Sequence, residues 1–180
     1  MEPRESSAKL RILQVESDDH RSHLRKLFLE YGHWVNGRCI EEYGISFDIE
    51  DTVERNMASL DQFQPPVGSL LLAEYDSQIA GCACLRRSRD SIGEIKRMYV
   101  RPDHRGHGIG RSLLNEALTA ARQNGYSTVR LDSAGFMKEA QVLYRSAGFD
   151  YIEEYAESEL PEEYRRYWVF MELDLDFGCR

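Results

Sequence analysis

Apolar and polar positions alternate along residues 9–15 (KLRILQV), the period of a strand with one buried face. Ser17 or Asp18 then caps a helix predicted over 19–31, with Leu24, Leu27 and Phe28 on one side. Residues 32–47 mix Trp34, Val35, Ile40, Tyr43, Ile45 and Phe47 with glycines and keep no period, so no element is assigned there. Helical spacing returns over 48–60 through Ile49, Val53, Met57 and Leu60, and Pro65-Pro66 end it. Three strands follow, at 68–75, 78–86 and 92–100. Asp76-Ser77 makes the first turn between them and a polar stretch, 87–91, the second, which gives an antiparallel meander. The stripe Ile109, Leu113, Leu114, Ala117, Leu118, Ala121 predicts a helix over 108–124, closed by Gly125. A strand at 127–132, a loop at 133–137, a helix at 138–147 capped by Gly148, and strands at 149–155 and 167–173 complete the pattern. Between those last strands lies an acidic loop, 156–163. The sum is one α/β domain of 180 residues, core 9–175, built on a mixed sheet of about seven strands with helices on both faces.

Composition narrows the function. A net charge of −8 argues against general affinity for nucleic acid or anionic membranes, and no apolar run approaches the length of a membrane span. The first ten residues lack the apolar core of a signal peptide, so a cytoplasmic location is expected. Cys82 and Cys84, two apart on one strand, have the wrong spacing for a redox pair or a zinc site. With Cys39 and Cys179 they read as small buried hydrophobes in a reduced compartment, and no metal is expected.

The chemistry concentrates in 94–112, EIKRMYVRPDHRGHGIGRS. A strand is broken by Pro102, passes into a glycine-rich turn, and opens a helix. Glycines admit close approach of a ligand to the backbone, and the free N–H groups and dipole of a helix start favour an anion, so this is a phosphate site by construction. A dinucleotide turn would read G-x-G-x-x-G directly after the strand, and a P-loop would place Lys-Ser/Thr after the last glycine. Here Arg105, Gly108 and Gly110 form R-x-x-G-x-G, and Arg111-Ser112 follow.

That string resembles motif A of the GCN5-related N-acetyltransferase (GNAT) superfamily, and Leu143 to Phe149 (LYRSAGF) resembles its second signature. The resemblance spans roughly 68–173. It implies acetyl-CoA as co-substrate, and a central parallel pair of strands that splays apart. Met98, Tyr99 and Val100 are then expected against the pantetheine arm. Arg105, Gly106, His107, Gly108, Ile109, Gly110 and Arg111 are expected around the pyrophosphate. Tyr144 occupies the position that reaches the coenzyme sulfur, where a phenol of reference pKa near ~10 can donate a proton to the departing thiolate. Its plain structural role is aromatic packing on the sheet. Glu94 sits where histone-type relatives carry a catalytic glutamate; it is either the base or a structural acid paired with Lys96 or Arg130. Met137 replaces a frequent asparagine, and Lys138 is either a coenzyme contact or a solvated lysine. His104 and His107 lie in the phosphate turn and are not expected to act as bases.

The resemblance implies an acceptor region at 31–47 and 155–167; aromatic residues occur in both, and a run of glutamates accompanies the second. Such a rim suits a cationic amine, although charge runs are more often solvated loops. The expected activity is acetyl transfer to a primary amine of a small molecule within a ternary complex, and a homodimer is compatible with it. A non-catalytic acyl-CoA sensor, and an enzyme acting on a protein N-terminus or lysine, are the alternatives.

Overall fold

The computed structural model describes residues 9–176. Seven strands form one sheet: β1 (Leu10–Gln14), β2 (Ser69–Tyr75), β3 (Gln78–Arg89), β4 (Ile92–Val100), β5 (Thr128–Ala134), β6 (Asp150–Ile152) and β7 (Trp168–Asp174). The helices are α1 (Asp18–Tyr43), α2 (Ile49–Ala58), α3 (Ile109–Gln123), α4 (Lys138–Ser146) and a single turn, α5 (Glu162–Arg165). Strand order is β1-β2-β3-β4-β5-β7-β6, and every pairing is antiparallel except β4–β5. The expected mixed sheet with helices on both faces is therefore present. Cys179 lies outside the described residues.

Alternation within the strands builds two cores back to back. Leu71, Ala73, Ala83, Leu85 and Ile95 face α3, whose stripe of Ile109, Leu113, Leu114 and Ala117 covers them. Leu70, Leu72, Cys82 and Cys84 face α1 and α2, beneath Leu24, Leu27, Phe28 and Val53. Ile95 belongs to the first core and Tyr99 to the second, although an unbroken strand would place both on one face. The register explains this: Cys84 pairs with Lys96 and Cys82 with Tyr99, two steps on β3 against three on β4. The extra residue is a β-bulge at Arg97, whose φ is 51°.

Three elements depart from the sequence expectation. The first helix does not stop at residue 31 but runs unbroken to Tyr43, absorbing the unassigned segment. Gly32, which reads as a terminator, is there for space: a Cβ on it would stand 2.7 Å from Ile49 Cγ2, so the glycine lets α2 seat against α1. The polar stretch after residue 86 continues as strand to Arg89, with the reversal confined to Asp90-Ser91. The strand expected over 149–155 shortens to three residues.

The parallel pair is short. Ile92, Gly93 and Glu94 pair with Thr128, Val129 and Arg130, and beyond them the strands part. β5 goes on pairing with β7 as far as Ala134, while β4 keeps only β3. Just past the fork, Lys96 Nζ reaches Asp132 Oδ2 across the opening at 2.9 Å.

Candidate active site

A groove of about 700 Å³ opens where β4 and β5 diverge. One edge of β4 has no ladder partner there, so the main chain of Met98, Tyr99 and Val100 lines the cleft. Its phosphate end is the turn into α3. Gly106 and Gly108 adopt φ of 81° and 76°, a region that costs an L-residue about 1–2 kcal/mol. Gly108 caps α3 without any side-chain hydrogen bond, which leaves the first N–H groups of the helix to a ligand. At Gly110 a Cβ would stand 3.3 Å from Leu143 Cδ2, narrowing the cradle. Arg38, Arg105, Arg111 and Lys138 line the same groove, so a cationic cleft lies on an acidic chain. Free N–H groups, a backbone open to close approach and four cations fit the pyrophosphate of a coenzyme A ester.

Of the residues expected at this site, Met98, Tyr99, Val100, Arg105, Gly106, Gly108, Ile109, Gly110, Arg111 and Tyr144 all line the groove. Arg105 is held by donating from Nε to the Val100 carbonyl at 3.1 Å and by lying over the Trp34 ring. His107 does not line it; its Nδ1 lies 3.0 Å from the Arg105 carbonyl and its ring rests on Tyr75. Tyr144, near the last turn of α4, is buried against Phe149. Burial, and then Asp132, push its pKa well above the ordinary phenol value, so the hydroxyl stays protonated. No group among the described residues is hydrogen-bonded to it.

Glu94 is elsewhere. It is 0 % exposed and lies outside the groove lining. Arg86 donates to Oε2 from Nε (2.8 Å) and Nη2 (2.6 Å); Tyr155 donates to Oε1 (2.9 Å), and Lys96 lies 3.5 Å from the same oxygen. Both oxygens are committed, whereas a base needs a free lone pair facing the substrate. Arg130, the other suggested partner, pairs instead with Glu172. Around Lys96, burial acts to lower its pKa, but Asp132, Glu94 and Glu159 outweigh it and hold the ammonium charged. Glu94 is thus held as the shared partner of Arg86, Lys96 and Tyr155.

Part of the acidic loop after β6 is paired rather than free. Glu157 pairs with Arg89 at 2.9 Å, and Glu159 accepts from Arg86 Nη1 at 2.5 Å. These carboxylates strap the loop to the sheet. Burial pushes Cys84 up to about 12 and Cys82 well above its ordinary value, so neither is poised as a nucleophile.

Sequence reasoning assigned residues 31–47 to the acceptor side and missed that α1 also walls the coenzyme groove. Tyr31, Trp34 and Arg38 fall at i, i+3 and i+7 and line the groove together with Phe136. That spacing was legible, but Gly32 hid the helix that carries it. Burial, then Tyr144 and Asp132, raise the Tyr31 pKa, so a second protonated phenol borders the groove.

A family model described as an acetyltransferase (GNAT) domain matches residues 66–151, the span from the start of β2 to β6. The uncharacterised N-acetyltransferase YjgM of Escherichia coli is 33% identical over 117 residues, covering 62% of this chain and 70% of that protein. Among solved structures, a GNAT-family acetyltransferase of Staphylococcus aureus superposes with a TM-score of 0.72 at 18% identity, covering 93% of this chain and 99% of that one. YncA of Salmonella typhimurium, solved with acetyl-CoA, superposes with a TM-score of 0.63 at 19% identity, over 95% and 96% of the two chains. These two share the fold. Sequence kinship and fold converge: the chain belongs to the GNAT acetyltransferase family and is an acetyl-CoA-dependent N-acetyltransferase.

Proposed function

We propose that the enzyme acetylates the primary amine of a small molecule by direct attack within a ternary complex. The observation that carries this reading is a second cavity, about 180 Å³, between α1, α2 and β4. Tyr31 borders both it and the coenzyme groove. A volume of that size suits a small molecule rather than a folded partner.

Acetyl-CoA supplies an activated acetyl group: the amine nitrogen forms the new N–C bond, the C–S bond breaks with its electron pair on sulfur, and sulfur gains a proton as nitrogen loses one. The bulged strand offers preorganised main-chain N–H groups beside the thioester carbonyl. Tyr144 donates a hydrogen bond toward the sulfur. A phenol with a raised pKa keeps its proton and stabilises the leaving thiolate by that hydrogen bond, while the proton lost by the amine returns to sulfur through solvent. Water takes the proton from the amine, since Glu94 is fully engaged. Cys82 and Cys84 take no part.

Release of the free thiol from acetyl-CoA, measured over a panel of small primary amines and of peptides with free N-termini and lysines, tests the reading. Turnover of one or more small amines is expected. Turnover of peptides alone would refute the small-molecule acceptor while leaving the acetyltransferase assignment intact.

A further inference from the structure

The bulge that re-phases β4 also does something to charge. Lys96 and Arg97 both turn toward α1 and α2 rather than to opposite faces, and Arg97 becomes the charged residue in the lining of the smaller cavity. The remaining walls are mainly Phe28, Val35, Phe47, Ile49 and Val53. A guanidinium placed beside an apolar pocket costs desolvation free energy unless its donors are matched.

The donors of Arg97 are matched poorly. Its side chain is 12% exposed and lies over the rings of Phe63 and Phe28 at 5.1 and 5.7 Å. Nη2 donates to Asn56 Oδ1 at 2.6 Å. Nη1 is buried and has no hydrogen-bond partner among the described residues. The carboxylate nearest to Arg97 is Glu159, 3.5 Å from Nη2, but that side chain is 41% exposed and is gripped more closely by Arg86 at 2.5 Å. Arg86 already holds Glu94, and Lys96 already holds Asp132. In this cluster of three cations and three carboxylates, Arg97 is the cation left with the weakest anion.

We infer that Arg97 anchors a carboxylate of the acceptor, so that the substrate class is a small apolar amino acid: an amine and a carboxylate on one short hydrocarbon body. A guanidinium presents paired N–H groups that match a carboxylate in a two-point contact. The apolar walls take the hydrocarbon. Arg97 directly precedes Met98, which lines the coenzyme groove, and Tyr31 joins the two spaces. A carboxylate on Arg97 therefore puts an amine a few bonds away at the boundary of the groove. This differs from the cationic acceptor suggested by the glutamate run, of which Glu157 and Glu159 are spent on arginines.

The inference rests on the small-molecule reading above, and its test separates the two. Leucine, methionine and phenylalanine, each as the free acid and as the carboxamide, are compared as acceptors by thiol release. 4-Methylpentanoate and 3-phenylpropanoate, acids without an amine, are added to the enzyme alone and read by thermal shift. At least one free acid is expected to exceed its carboxamide in kcat/KM by about tenfold or more, the scale of a charge-assisted contact. At least one amine-free acid is expected to raise Tm. Arg97→Gln should bring the acid-to-amide ratio near one and abolish the Tm rise, while Arg97→Lys keeps part of both. Undiminished coenzyme A binding by calorimetry shows that each variant is folded. Carboxamides acetylated as well as or better than the acids, with no Tm response to either acid, would overturn the carboxylate anchor and leave the small-molecule reading standing. If no small amine of either kind turns over while coenzyme A binds, both fall.

Discussion

Tyr144 and Glu94 were expected to share the chemistry, and their surroundings separate them. The Tyr144 side chain is largely buried at the groove, and its hydroxyl has no hydrogen bond to the described residues, which leaves it free for a ligand atom. Tyr144→Phe should lower kcat by about tenfold or more while the Kd for acetyl-CoA holds, because one hydrogen bond to the leaving sulfur is lost and no apolar contact is. Rapid-mixing kinetics paired with calorimetry reads both; an unchanged kcat would reduce Tyr144 to packing. Glu94 answers to Arg86, Lys96 and Tyr155. Glu94→Gln should therefore act first on stability, by about 3 kcal/mol, since removing one partner of a buried pair strands the other. Chemical denaturation measures this. A stable variant with a displaced pH–rate profile would return Glu94 to the role of base. Tyr144 was legible through the resemblance of residues 143–149 to a family signature, which a few adjacent residues carry. The fate of Glu94 depended on Arg86 and Tyr155, eight and sixty-one positions away, and no local pattern announces such partners.

Among the elements, most of the strands and α3 were legible because their periods are clean and their turn residues conventional. Asp76 and Ser77, with φ of 49° and 65°, form the tight reversal their types allow. The first helix was half legible. Ser17 marks its start by accepting from the His20 N–H at 3.1 Å, but Gly32 mimics an end. Gly32 serves a contact with a helix not yet formed when the chain is read in order. Gly32→Ala should destabilise by about 1–3 kcal/mol despite the better helix propensity of alanine, because its Cβ meets Ile49 at 2.7 Å. In combination with Ile49→Ala the two losses should sum to less than their separate values, and a double-mutant cycle by denaturant unfolding measures the difference. Strict additivity would mean that α1 and α2 do not meet through this pair. The β4 bulge was likewise invisible: it inserts a residue without changing the apolar content of the strand, and only the face swap between Ile95 and Tyr99 betrays it.

For the whole molecule, burial sets the response to alkali. Desolvation pushes the thiol of Cys39 up to about 11 and that of Cys84 up to about 12, against ~8.5 in an unfolded chain. Below pH ~8.5 these thiols are neutral in both states and the stability they carry is fully present. As pH rises past that value the unfolded chain loses protons that the folded one keeps, so stability should decline toward pH 11 to 12. Thermal melts between neutrality and pH 11 should show the decline, and Cys84→Ala should make it shallower. An identical slope in the variant would exclude this thiol as a source. The charge of −8 foretold nothing of the cationic groove, because a total is blind to where Arg38, Arg105, Arg111 and Lys138 gather.

Tyr31 stands in the partition between the coenzyme groove and the smaller cavity, one ring serving as wall to both. A wall that shifts to fit one tenant changes the room of the other. Any factor by which coenzyme A alters acceptor affinity must then be returned, unchanged in size, by the acceptor upon coenzyme A. Titrating in both orders would give that factor twice, and Tyr31→Ala should drive it toward one. If it stays where it was, the two rooms communicate by another route, and order of binding is written elsewhere in α1.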